Sequence, residues 1–206
     1  MPTFEVVSQQ QWEAARNDVR AREAEAAKAR DAVNAARRQL PAVRVQKNYR
    51  FDGPSGPASL LDLFDGRRQL IVYHFMFAPS WAQGCPYCSH VIDNVPHLAH
   101  INALDTTFAA VSTAPQAKIQ PFRERMGWQI PWYTAVGRDF YDDFRATEER
   151  GALTVFLRDG DAVYHTYSAY DDEVDLSMLD SSYLNLAPLG LPPAGPWPKH
   201  HDRYST

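Results

Sequence analysis

Two sulfur atoms dominate the chemistry open to this chain. Its only cysteines, Cys85 and Cys88, lie two residues apart in the tetrapeptide Cys85-Pro86-Tyr87-Cys88. At positions i and i+3 both can sit on one face of a first helical turn and close a small disulfide ring. A cysteine at a helix start meets backbone N–H groups with no intrahelical partner, and their field favours thiolate over thiol. In comparable motifs the thiol falls from about 8.5 to roughly 3.5–7.5. Cys85 is therefore the expected nucleophile, and Cys88, one turn further in, the resolving thiol. Pro86 suits the first helical turn, where its missing N–H costs nothing, and Tyr87 adds an apolar body. A single pair excludes a disulfide framework. In a reducing compartment such a pair points to catalysis or metal binding rather than to a structural bridge. Two inert thiols packed as small hydrophobes would be the plainer explanation.

A metal site is the first rival. His90, His97 and His100 follow the pair, so Cys85, Cys88, His97 and His100 have the composition of a zinc centre. The gap from Cys88 to His97 is shorter than the usual finger linker of roughly 12–15 residues. A continuous helix would carry the later histidines about 15 Å from the thiols. No metal and no cofactor is therefore expected. His90 alone is near enough to raise the thiolate character of the pair or to join a mononuclear metal site with it, so a non-catalytic binding or metal-handling protein is the alternative reading. A peroxidase is the second rival, but Pro79 precedes Cys85 by six residues and no Thr lies between them. Trp81, Trp128 and Trp132, the last two flanking Pro131, could line an apolar groove beside Cys85, although such aromatics more often belong to a core. His74 reads as a satisfied core histidine. His165, Tyr167 and Tyr170 are read as one polar-tipped strand face, and the acidic run Asp171-Asp172-Glu173 with Asp175 as a solvated loop.

The elements that must hold the pair can be traced along the chain. Gln69 to Phe77 is a nearly continuous apolar run rich in β-branched and aromatic residues, as expected of a strand buried on both faces. The cysteines follow it and open a helix carrying Val91, Ile92, Val95, Ala99 and Leu104, with a kink expected at Pro96. Thr106 to Val111 is the next strand, and Pro115 to Met126 a helix ending at Gly127. Leu153–Leu157 and Ala162–Tyr167, joined through Arg158-Asp159-Gly160-Asp161, read as a β-hairpin. Phe51 to Pro57 reads as a turn, and Ser59 to Phe64 as a short helical patch. This order of elements describes an α/β sandwich of thioredoxin type.

Residues 8 to 40 form a separate feature. Ser8 and Gln11 fit a capping box, Pro41 marks the stop, and no Gly or Pro intervenes. Trp12, Val19, Ala26, Val33 and Leu40 recur every seven residues, a thin seam that suits pairing with a second copy. The expected organisation is an N-terminal helical extension over 1–41, a central domain over 42–186, and an irregular tail over 187–206 where prolines cluster between Pro188 and Pro198.

The totals narrow the function classes. The chain has 206 residues and a net charge of −4, with no one-signed basic run, which argues against a nucleic-acid binder. No stretch approaches the roughly 20 apolar residues of a membrane span. The first residues lack the basic and apolar run of a secretory signal, so a cytoplasmic location is expected.

From Phe75 onward the chain resembles a known family. The matching residues include Phe75-Met76-Phe77, Trp81, Gly84-Cys85-Pro86-Tyr87-Cys88-Ser89, Thr107-Phe108-Ala109-Ala110-Val111-Ser112, Arg125-Met126-Gly127-Trp128, Pro131-Trp132, Asp139-Phe140, His165-Thr166-Tyr167-Ser168 and Leu186-Ala187-Pro188-Leu189-Gly190. The family is the thioredoxin-like one called domain of unknown function 899, often described as predicted dithiol-disulfide oxidoreductases. The resemblance extends over nearly the whole chain. It implies a thioredoxin-like three-layer α/β sandwich and exchange with a thiol or disulfide substrate, recharged by an external electron donor. Many thioredoxin-fold oxidoreductases place a cis-proline opposite the cysteines. Here that place falls at Ala152-Leu153, and no proline is present. The tetrapeptide is the one glutaredoxins use, but the remainder of the chain does not resemble them.

Overall fold

The computed structural model of the chain describes residues 5–147, 151–170, 172–175, 179–188 and 198–204. The chain divides into two units, Met1–Pro41 and Ala42–Thr206. The first holds one helix, α1 (Gln9–Arg38), with the capping box in place: the Gln11 N–H donates to Ser8 Oγ at 3.3 Å, and the Ser8 N–H donates to Gln11 Oε1 at 3.0 Å. The helix stops at Arg38, just before Pro41, and none of its residues is buried. Trp12, Val19, Val33 and Leu40 of the seven-residue seam are all exposed.

The second unit is built on an eight-stranded sheet. In chain order its elements are β1 (Val43–Arg44), β2 (Arg50–Gly53), β3 (Gly56–Ser59), β4 (Gln69–His74), α2 (Pro86–Asp93), α3 (Leu98–Asn102), β5 (Thr106–Ser112), α4 (Gln116–Arg125), β6 (Trp132–Ala135), α5 (Asp139–Asp143), β7 (Ala152–Asp159), β8 (Ala162–Tyr170), α6 (Asp172–Asp175) and α7 (Leu179–Leu184). The strands lie in the order β1-β8-β7-β4-β5-β6-β2-β3. β4, β5 and β6 run parallel, while β7 pairs antiparallel with β4 and β8 with β7. Being central, β4 is covered on both faces, which explains its unbroken apolar composition.

Alternation along β4 divides the interior into two cores. Tyr73 and Phe75 face one side, where Cys88, Val91 and Ile92 of α2 join Ile119 and Phe122 of α4 and Trp132 of β6. Leu70 and Val72 face the other, packing with Phe51, Leu63, Phe64, Phe140, Phe144 and Phe156. Fully burying one such large apolar side chain contributes roughly 1.5–3 kcal/mol.

Several expectations are corrected. The turn expected within Phe51–Pro57 is there but confined to Pro54-Ser55, at the tip of a hairpin that sets Gly53 opposite Gly56. The kink foreseen at Pro96 is a full break: α2 ends at Asp93, and α3 restarts at Leu98 with His97 Nδ1 accepting from the Ala99 N–H. A proline before a helix start removes no needed donor, so the chain stops and reopens there rather than bending. The short strand β6 and helix α5 lacked a readable period. His165, Tyr167 and Tyr170 do not share one face. A bulge leaves Thr166 without a partner, so Tyr167 lies opposite Val155 while His165 lies opposite Phe156, and the two point to opposite sides. Of the Pro-rich tail, residues 189–197 and 205–206 lie outside the described residues, as does Asp171 of the acidic run.

Candidate functional site

Cys85 is the N-cap of α2, extended at φ −60° and ψ 132°, with Pro86 at the first helical position. Its backbone is fixed from both sides. The Cys85 N–H donates to Met76 O at 3.0 Å, and the Cys85 carbonyl accepts from the Ser89 N–H at 3.0 Å and from Ser89 Oγ at 2.9 Å. Met76 also turns its own N–H on the second cysteine, 3.3 Å from Cys88 Sγ. Met76, two residues past β4, therefore ties both cysteines to the end of the central strand.

The two thiols are free and differ in environment, with Cys85 partly exposed and Cys88 wholly buried. The Cys88 thiol beside it, acting as donor, together with the Cys88 and Tyr87 N–H groups, outweighs burial and brings Cys85 down to about 6. Burial pushes the Cys88 thiol well up, and the neighbouring Cys85 raises it further. The resting pair is thus polarised, with anionic character on the accessible sulfur and the proton on the buried one.

The loop from β4 to α2 is pinned by residues far away in sequence. Lys118 Nζ donates to the carbonyls of Pro79 and Trp81 at 2.6 and 3.0 Å. Arg125 reaches Gln83 Oε1 at 3.3 Å. The segment 198–204 returns to the site: buried His200 places Nε2 2.9 Å from Gly84 O, and Arg125 Nη2 lies 3.1 Å from its Nδ1. A carbonyl only accepts and a guanidinium only donates, so the His200 tautomer that satisfies both carries its hydrogen on Nε2. Asp202 pairs with Arg125 at 3.2 Å, and Asp93 accepts from His201 at 2.8 Å and from Trp128 Nε1 at 2.7 Å. Gly84 has no room for a side chain, since an added Cβ would lie 2.5 Å from Phe75 Cε1 and 2.9 Å from Phe122 Cε1.

The residues singled out from sequence divide into three groups. Cys85, Cys88, Pro86 and Tyr87 come together at the start of α2, and Trp81 is half-buried on the same core. His90, next to Ser89 on α2, is buried, its carbonyl accepting from Asn94 Nδ2 at 2.9 Å. Trp128 and Trp132 sit within the core against Phe75 and Phe122, and Trp132 is fully buried with Nε1 3.1 Å from Ser112 Oγ. The carbonyl of Pro131 accepts from the Ala110 N–H. The rings of His97 and His100 lie 6.1 Å apart. No three His, Cys, Asp or Glu side chains among the described residues are close enough to hold a metal ion. No described helix is long and apolar enough to cross a membrane. Sequence reasoning missed Tyr73, Lys118, Arg125 and His200. Only Tyr73 left a signal, two residues before Phe75 on the same strand face.

Sheet order, helix placement and a cysteine pair opening the helix after the central strand define a thioredoxin-like α/β protein. The chain belongs to the family described as "Bacterial protein of unknown function (DUF899)", which matches residues 1–204. No curated protein sequence matches it significantly. Among solved structures it is similar to the peroxidoxin BcpB of Mycobacterium tuberculosis, with a TM-score of 0.50 and 16% identity over 67% of this chain and 93% of that one. A putative protein disulfide isomerase from Bacteroides thetaiotaomicron gives 0.44 and 17%, covering 67% of this chain and 87% of that one. A secreted disulfide oxidoreductase from Mycobacterium tuberculosis gives 0.40 and 16%, covering 63% and 92%. At these identities the likeness to the peroxidoxin establishes the fold.

Proposed function

We propose that this protein is a thiol–disulfide oxidoreductase in which Cys85 attacks and Cys88 resolves. The observation that carries the reading is the asymmetry of the pair: an accessible sulfur at a helix N-terminus brought down to about 6, and a buried thiol one turn away. In the reaction the Cys85 thiolate attacks a substrate disulfide, one substrate sulfur leaves, and a mixed disulfide remains. Cys88 then displaces the second substrate sulfur and closes the internal disulfide. Run backwards, the oxidised pair takes up two electrons from an external thiol donor. The proposed substrate is a thiol or disulfide, and the proposed compartment is the cytoplasm.

Where cis-proline stands in many proteins of this fold, the chain has Ala152 and Leu153, and Ala152 is wholly buried. That leaves less purchase on a peptide backbone and favours small or flexible disulfides over folded protein substrates. The deciding experiment is thiol trapping of the purified protein in graded redox buffers. A reversible Cys85–Cys88 transition between about −120 and −270 mV is expected. Absence of any reversible disulfide would sink the reading.

The exposed seven-residue seam of α1 supports a second proposal, that two copies pair through this helix. Light scattering that gives a monomer mass at micromolar concentration would exclude it.

A further inference from the structure

Tyr73 buries a polar hydroxyl beside the pair, and nothing in the exchange reaction as described uses it. It lies on β4 facing α2, with none of its surface exposed, and its hydroxyl closes no directed hydrogen bond among the described residues. The hydroxyl nonetheless interacts with the sulfur of Cys88. From the other side, the Met76 N–H approaches the same sulfur at 3.3 Å. The hydroxyl is also closely fenced, for a Cβ added at Gly151 would stand 3.1 Å from it.

A buried hydroxyl left without a well-directed hydrogen bond is destabilising, so its retention calls for a state in which the contact with the sulfur is strong. A neutral thiol is a poor acceptor, whereas a thiolate is a strong one. We propose that Tyr73 O–H and Met76 N–H form a receiving pocket for the Cys88 thiolate, which exists only during resolution of the mixed disulfide. The inference rests on the thiol–disulfide reading above and assigns its second step.

In the resting dithiol, Cys88 keeps its proton and shares it with the Cys85 thiolate. Once Cys85 is bonded to substrate, that anion is gone. Cys88 must then give up its proton inside the core, where burial opposes the charge. The Tyr73 hydroxyl stays protonated throughout, since burial pushes it well above its ordinary range, and is therefore available as a donor. As Cys88 Sγ attacks, the Cys85–Cys88 bond forms and the Cys85–substrate bond breaks. The electron pair leaves on the substrate sulfur, which takes up the proton that Cys88 lost. One disulfide replaces another, and no further oxidant or reductant is needed.

The test uses 5,5′-dithiobis(2-nitrobenzoate) and the full reduced chain. Wild type is expected to release two equivalents of thionitrobenzoate, a first phase from attack by Cys85 and a second from resolution by Cys88. In Tyr73→Phe the first phase should keep its rate. The second should slow about tenfold at pH 7, its midpoint moving up about one pH unit. Thiolate absorbance at 240 nm in a Cys85→Ser background should show the same upward shift of Cys88 when Tyr73→Phe is added. If Tyr73→Phe does not fold, Gly151→Ala displaces the hydroxyl and should slow the same phase. An unchanged second phase and an unchanged Cys88 titration would overturn the role of Tyr73 while leaving the exchange reading intact. A wild type that releases no second equivalent would overturn the exchange reading itself.

Discussion

Tyr73 and His74 are neighbours on one strand, both wholly buried, and each keeps one polar atom without a hydrogen-bond partner among the described residues. They point to opposite faces of the sheet, and their surroundings give the two orphans different meanings. His74 is stacked on Phe140 at 5.1 Å and edged by Tyr141 and Phe144, with Nε2 held at 2.9 Å by Thr154 Oγ1. Burial drives its ring down to about 3, so it stays neutral. Thr154 passes the contact to Ser168 at 3.4 Å, and Ser168 to His165 at 2.9 Å, so the ring ends a polar thread sewn between strands. Burial also pushes the His165 ring below its ordinary value, so both histidines of the thread favour the neutral form. Tyr73, in contrast, faces a sulfur whose charge changes once in each cycle of the proposed exchange. A buried polar group alone therefore does not mark a site, and what decides is whether its neighbour can alter its charge.

The most severe way to break this comparison is on the sulfur side. Cys85→Ser should abolish dithiol exchange, while His74→Leu should leave both exchange phases at wild-type rates. A His74 variant that loses exchange would show the two faces to be coupled.

The next effect belongs to His74. Its folded value is depressed below the ordinary 6.5, so its contribution is fully present above 6.5 and is lost as pH falls through 6.5 toward 3. That limb amounts to about 5 kcal/mol at most. Urea denaturation at stepped pH should show it in wild type and a flatter curve in His74→Leu.

Gly84→Ala comes third. Its Cβ would strike Phe75 and Phe122, for about 1–3 kcal/mol of overpacking. Because Gly84 abuts Cys85, the variant should also displace the alkylation profile of that cysteine. In wild type, iodoacetamide reactivity should rise with pH and reach half its maximum near 6. His200→Ala is expected to be mildest, costing about 1 kcal/mol for the lost bond to Gly84, with the acid limb of His74 untouched.

The sequence was most informative where a local signal coincided with a local cause. The capping box of α1, the buried β4 run and Pro86 at the start of α2 each depend on residues a few positions apart, and each could be placed from the chain alone. The environment of the cysteines was not legible in this way. Lys118, Arg125 and His200 act on the loop between β4 and α2 from distant places, and an isolated Arg or His carries no period. The bulge at Thr166 was hidden because one inserted residue reverses a face without changing composition, so an alternating pattern assigned His165 and Tyr167 to the same side. Likewise the break at Asn94–His97 resembled a kink, since Val95, Leu98 and Ile101 continue an apolar pattern through it.

The brace formed by His200 has a consequence for how the molecule is made. Gly84 and His200 are 116 positions apart, and a ribosome emits them in that order, at roughly 5–20 residues per second. For several seconds a nascent chain carries both cysteines, the strands that flank them and α4, while the carbonyl of Gly84 still faces water. Messages truncated before the codon for His200 would yield this unfinished form permanently: a protein with its sheet strands complete and Cys85 loosely held, able to meet disulfides before its loop has been fastened.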